Sequence, residues 1–318
     1  MNNLKQYKLY LILALFTTLQ SIIAQQNPQY TQYMYNPMSI NPAYVGSRGM
    51  LSATGLYRNQ WLGLDGAPQT QTLNVHAPVK YSRLGVGLSI INDQLGEGVT
   101  QETFFDAAVS YTIQTSYQGN LAFGLKVGGS LLNVDFTKLN QYDDVELSGQ
   151  NNIDHKFSPN IGAGVYYYAD NYYVGLSVPN MLTTEYFDES NNSNSTSYVA
   201  TSRIHYYLMG GYVFEMNWRW KFKPTLLTRY VSGAPLQIDA SANFMYQDNI
   251  TFGVGYRFGA AVTGMIAFQL NEALSIGLAY DKEVTELGGT QFTNGTVEFM
   301  LRYEFSKNYR TVRVPRFF

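Results

Sequence analysis

The sequence predicts an all-β fold, a transmembrane outer-membrane β-barrel of about fourteen antiparallel strands. Three observations carry that expectation. From about residue 50, apolar residues recur at every second position. The alternate face is small or polar, dominated by Gly, Ala, Ser and Thr. Short connections alternate along the chain with longer ones, as in barrels with tight turns at one rim and loops at the other. Only 14% of the 318 residues are charged, while 27 are tyrosine, which is too few charges for disorder and too few for an ordinary soluble surface. A net charge of −2 gives no nucleic-acid footprint. The absence of cysteine removes disulfides, thiolate metal sites and a cysteine nucleophile.

Residues 1–24 read as an export signal. Lys5 and Lys8 supply the basic start, "LYLILALFTTL" the apolar core and Ala24 a small residue for cleavage before Gln25. The apolar run is short of the ~20 residues a spanning helix needs. No later segment approaches that length, so a mature chain in the membrane has to cross it as a closed barrel.

Residues 25–49 form an irregular segment between the signal and the first strand. The stretch "QYTQYMYNPMSINPAYVGSRG" carries two Asn-Pro pairs, Asn36-Pro37 and Asn41-Pro42, which block both helix continuation and central-strand pairing. Tyr30, Tyr33, Tyr35 and Tyr44 supply rigid aromatic contact area, which flexible linkers lack. Tyr33, Tyr35, Asn36, Pro37, Asn41, Pro42, Tyr44 and Gly46 are therefore the candidate residues of a plug or docking surface, against the lumen or the periplasmic rim.

Residues 50–306 form the barrel. Strands are expected near 50–61, 70–79, 83–93, 100–116, 119–136, 157–169, 172–180, 204–216, 218–231, 236–247, 250–259, 261–270, 274–283 and 295–306. "TVEFMLRYEF" shows the pattern: Val297, Phe299, Leu301, Tyr303 and Phe305 on one face, Glu298, Met300, Arg302 and Glu304 on the other. Ile276, Val254 and Leu301 are expected to face lipid. A soluble sandwich would instead place solvated polar residues on its non-apolar face. The inward positions carry both signs, Arg58, Lys126, Arg219, Lys221, Lys223, Arg229, Arg257 and Arg302 with Asp106, Glu215, Asp239, Asp281, Glu298 and Glu304. Mixed signs fit a lumen filled by paired residues or a wide aqueous one, and not a pore selective for one charge. Residues 307–318, "KNYRTVRVPRFF", form a basic tail with no acidic residue.

No enzyme is indicated. His76, His155 and His205 are not at metal-ligand spacing. "GVGYRFG" sits within a strand, where glycine marks close packing or a bend and does not form a phosphate loop. No Gly-x-Ser-x-Gly nucleophile motif occurs. No catalytic residue, metal or cofactor is assigned.

The stretches "QYTQYMYNPMSINPAYVGS", "YRNQWLGLDGAPQT", "LGVGLSIINDQLG" and the closing "RVPRFF" resemble the PorP/SprF family, outer-membrane proteins of the Bacteroidota tied to type IX secretion and gliding motility. The resemblance runs from about Asn27 to Phe318. Its most specific residues are Asn41, Pro42, Ala43 and Tyr44, followed by Arg58, Gln60, Trp61, Gly66, Ala67 and Pro68. It implies a non-enzymatic accessory or docking barrel for export or surface attachment of cargo such as adhesins. Implied partners are outer-membrane lipid, secretion components, a peptidoglycan-associated periplasmic lipoprotein and the adhesin cargo. The alternative is a porin for small or hydrophobic solutes. Arg310, Arg313, Pro315, Arg316, Phe317 and Phe318 are a candidate docking peptide, and both termini are expected on the periplasmic side.

Overall fold

The computed structural model describes residues 29–138, 152–183, 203–285 and 294–305. The wall is built from fourteen strands: β1 Leu51–Asn59, β2 Gln69–Pro78, β3 Leu84–Leu95, β4 Thr100–Gln114, β5 Asn120–Val134, β6 Ile153–Tyr168 and β7 Tyr172–Val178. There follow β8 His205–Tyr212 with its continuation Phe214–Glu215, β9 Trp220–Val231, β10 Gln237–Tyr246, β11 Ile250–Arg257, β12 Ala261–Gln269, β13 Leu274–Glu283 and β14 Thr296–Phe305. Each pairs antiparallel with its sequence neighbours. The first strand pairs with the last from Leu51↔Phe305 to Asn59↔Val297, which closes the sheet and removes its edges.

Closure satisfies the backbone, and the two-residue period then decides what each side chain meets. Outward positions are apolar: Val254 is 61% exposed, Leu125 62%, Leu88 64% and Leu301 41%. Inward neighbours such as Thr251, Ser275 and Ser110 are buried. Ile276 lies on the same outward face as Leu278 and Tyr280. Aromatic rings form an outward row across four neighbouring strands, with Tyr212 against Phe214 at 4.4 Å and Phe222 against Phe244 at 4.8 Å. Such girdles suit the membrane–water boundary, where ring and headgroup meet.

One rim carries the connections 79–83, 115–119, 169–171, 216–219, 247–249 and 270–273. The other carries 60–68, 96–99, 135–152, 179–204, 232–236, 258–260 and 284–295. Three of these seven are as short as those at the short-link rim. Residues 94–99, expected as a longer loop, shrink to 96–99 because pairing continues to Leu95↔Thr100. β6 starts at Ile153, not near 157. Its register against β5 shifts between the Leu132 and Val134 pairings, and His155 takes φ 51° there, so a bulge hides the alternation. Pairing between β8 and β9 lapses beside Pro224, which has no N–H to give. Arg219 and Glu215, expected inside, lie at the short-link rim. Glu215 is exposed there, and Arg219 stacks over Trp218 at 4.1 Å.

Replacing Val254 or Leu301 by Arg is expected to cost about 2–4 kcal/mol of folding stability in lipid vesicles near mid-membrane. Denaturant titration in the vesicles reads that cost.

Candidate functional site

Residues 29–49 lie inside the barrel. Their polar contacts reach strands around the whole circumference, a geometry open only to a segment within the wall. Tyr30 Oη shares a hydrogen bond of 2.7 Å with Thr72 of β2, and Tyr33 Oη one of 2.8 Å with Thr225 of β9. Ser177 of β7 donates to the Ile40 carbonyl, and Ser110 of β4 to that of Val45. Gln237 of β10 donates to Gln29. The segment spans the lumen lengthwise. Gln29 and Thr31 sit near strand ends at the long-link rim, beside Gln237 and Arg58. Arg48 pairs with Glu304 at the end where β14 finishes. The expected start at the rim that β14 reaches is therefore not what the described chain shows: Gln29 is at the opposite end from Phe305. The physical reason is that the segment crosses the lumen before it turns into β1.

Its local structure follows from the two Asn-Pro pairs. Pro37–Ser39 and Pro42–Tyr44 are single 3₁₀ turns, each with proline at its first position. Asn41 caps the second, its Oδ1 accepting from Ala43 N at 2.9 Å. Its Nδ2 donates to the Val165 carbonyl of β6 at 3.0 Å, so one side chain both caps the turn and fastens it to the wall. Asn36 accepts from Asn74 Nδ2 of β2 at 2.6 Å and donates to Ser39. Tyr44 meets His76 and Tyr166 edge-on at 5.4 and 5.6 Å. Gly46 takes φ 78°, donates to His76 Nδ1 and packs against Gly85.

The wall is shaped to the segment. A Cβ on Gly124 would overlap the Ala43 backbone, one on Gly164 the Asn41 side chain, and one on Gly85 the Val45 carbonyl. Inward glycines thus let β3, β5 and β6 approach the segment backbone to backbone.

The strongest anchor is a buried charge cluster. Arg58 of β1 donates to Asp281 of β13 at 3.2 Å and to Glu298 of β14 at 3.0 Å. Both Glu298 oxygens also accept backbone N–H groups of the segment, from Thr31 at 2.9 Å and Gln32 at 2.7 Å. Thr31 Oγ1 bridges, donating to Asp281 and accepting from Arg58. Further inward charges pair as Lys126–Asp106, Arg257–Asp239 and Arg48–Glu304. Mixed signs inside the barrel are thus largely a set of neutralising pairs. Lys223, also inward, lies 5.0 Å from the Tyr173 ring.

The remaining predicted residues fall in two groups. Gln60, Trp61, Gly66, Ala67 and Pro68 form the β1–β2 loop at the long-link rim. Leu62 N donates to the Gly295 carbonyl and Gly96 N to that of Gly66, so this loop staples its neighbouring hairpins together. Arg310, Arg313, Pro315, Arg316, Phe317 and Phe318 lie outside the described residues. Thr31 and Gln32 and the inward glycines were not singled out by sequence reasoning. Glycine at inward strand positions, as in "LGVGLSI" and "IGAGVYY", was the signal available for them. Among the described residues no group of three His, Asp or Glu side chains converges as metal ligands.

Alternation, closure and an aromatic girdle define a transmembrane outer-membrane β-barrel. The chain belongs to the PorP/SprF family of type IX secretion system membrane proteins, whose family model matches residues 22–303. Comparison with curated protein sequences returned no match. Among solved structures, the outer membrane protein Omp33 of Acinetobacter baumannii is similar over 80% of this chain and 98% of its own, at 8% identity and TM-score 0.48. The CymD monoaromatic hydrocarbon channel is similar over 89% of this chain and 94% of its own, at 12% identity and TM-score 0.48. The KdgM porin is similar over 80% and 99%, at 8% identity and TM-score 0.36.

Replacing Arg58 by Met leaves Asp281 and Glu298 buried without their cation. The expected loss of barrel stability is about 3–5 kcal/mol, read from the urea midpoint of the protein in vesicles.

Proposed function

We propose that this barrel is a non-enzymatic accessory and docking component of type IX secretion that serves export or surface attachment of a cargo such as an adhesin, and that cargo does not pass through its lumen. One observation carries the reading: the lumen is occupied from rim to rim by residues 29–49 of the same chain, fastened by buried hydrogen bonds and ion pairs. Tyr33, Tyr35, Asn36, Pro37, Asn41, Pro42, Tyr44 and Gly46 act here as the plug. Tyr33, Tyr35 and Tyr44 are at most 5% exposed, so partner contacts fall to the rims and the tail. In this reading the short-link rim faces the periplasm, as tight turns do in outer-membrane barrels. β14 ends at that rim, so the basic tail 307–318 is offered to periplasmic secretion components or a peptidoglycan-associated lipoprotein. The signal peptide is removed near Ala24.

Deleting the gene is expected to abolish surface display of its cargo while leaving small-solute uptake unchanged. In planar bilayers the intact protein is expected to be silent, and a variant lacking residues 29–44 to conduct. A large steady conductance of the intact barrel would favour a solute channel instead.

Neutralising Arg310, Arg313 and Arg316 together is expected to reduce capture of secretion components by the full-length protein in pull-downs, with barrel assembly unchanged.

A further inference from the structure

The outward face changes chemistry in one sector of the long-link rim. Asn59 of β1, Gln69 of β2, Gln94 of β3 and Gln101 of β4 stand in register across four strands. Two residues nearer the middle of the wall, Tyr57, Gln71, Asn92 and Thr103 form a second row. Both rows point away from the lumen: Gln69 and Gln71 alternate with buried Thr70 and Thr72 and share a face with exposed Leu73. Leu73, Ile90 and Phe105 make the next row down, all exposed on the apolar outer wall. The amides therefore begin about 7 Å beyond a surface built for acyl chains, at the level of the headgroups. Across the barrel the outward face still ends in large side chains at this rim, Tyr206 of β8, Tyr230 of β9, Tyr256 of β11 and Val262 of β12.

Neither row holds a charged side chain, whereas an ordinary solvated surface is about a quarter to a third charged. Within the ladder Asn92 Oδ1 accepts from Gln101 Nε2 and Thr103 Oγ1, both at 3.0 Å. Asn59, Gln69 and Gln94 also line a cleft between the β1–β2 loop and the 96–99 turn, together with Trp61, Asp65 and Glu97. Two carboxylates thus face this cleft, and no Lys or Arg lines it.

We infer that the β1–β4 sector binds the saccharide headgroups of neutral glycolipids in the surrounding leaflet. Each amide offers two N–H donors and a carbonyl acceptor, the pairing that neighbouring sugar hydroxyls need. A phosphate headgroup calls instead for Lys or Arg. Ladder and cleft supply neither, and Asp65 and Glu97 repel an anion. The ladder is a repeated array on an open wall, so it selects hydroxyls and not one particular sugar. Glycolipid is thereby held on one side of the barrel, beside the seam between β1 and β14. The inference requires a barrel in a membrane and does not rest on the docking reading, because a barrel that conducts keeps the same outer wall.

The full-length protein is folded into phosphatidylcholine vesicles containing equal minor fractions of digalactosyldiacylglycerol and phosphatidylglycerol. It is then extracted in a detergent without sugar, and the lipids that stay with it are counted by mass spectrometry. The ratio of galactolipid to phosphatidylglycerol on the protein is expected to exceed that of the vesicles roughly fivefold. The triple variant Gln71→Leu, Gln94→Leu and Gln101→Leu is expected to return the ratio to that of the vesicles. Gln94→Lys with Gln101→Lys is expected to reverse the preference towards phosphatidylglycerol. All of these positions face away from the lumen, so the plug contacts are untouched, and heat-modifiable migration checks that each variant folds. A vesicle-like ratio on the unaltered protein overturns the inference. So does full enrichment in the Leu variant, or a Lys variant that still favours the galactolipid.

Discussion

Arg58 sits between two carboxylates, Asp281 and Glu298, in a site closed to water. Its burial is tolerable only if both partners stay in place, because an isolated charge in such surroundings costs several kcal/mol. That one requirement ties together the parts of the molecule that are farthest apart in sequence. Arg58 belongs to the first strand, Glu298 to the last and Asp281 to the one before it, so the cluster straddles the seam that closes the barrel. Glu298 spends its remaining acceptor capacity on the backbone N–H groups of Thr31 and Gln32. Closure of the wall and seating of the segment are therefore coupled through shared hydrogen bonds.

The segment in turn solves a problem that closure creates. Fourteen strands enclose more space than their inward side chains fill, and many of those side chains are polar. Water could satisfy them, at the cost of an open pore. Residues 29–49 satisfy them instead with a backbone whose own regular pairing is blocked by proline. An irregular chain is the suitable filler, since its unpaired N–H and C=O groups are free to meet Ser110, Ser177 and Glu298. The inward glycines complete the fit by removing the side chains that would hold the two backbones apart.

The fold was largely legible in the sequence. Strand number, the two-residue period and the lipid-facing identity of Val254 and Leu301 follow from local alternation, which one pleated strand imposes whatever its neighbours do. Boundaries failed where an irregularity broke that period, as at the His155 bulge and beside Pro224. The candidate site was legible only as composition. The tyrosines and Asn-Pro pairs marked residues 29–49 as unusual, and the inward charges were visible as a mixed set. Which charge meets which was not visible: Arg58 and Asp281 are brought together by seam closure, and nothing local to either residue encodes the other.

By itself the sequence determined that this chain crosses a membrane as strands, with one apolar and one polar face, since backbone groups in lipid can be satisfied only in a helix or a closed sheet and no apolar run is long enough for the helix. Only the tertiary structure decided what occupies the inside. The direction of the segment, from Gln29 at the long-link rim to Arg48 at the other, depends on contacts spread over the whole circumference. Those contacts exist only after β1 has paired with β14, and a property that closure creates cannot be read from any one stretch of the chain.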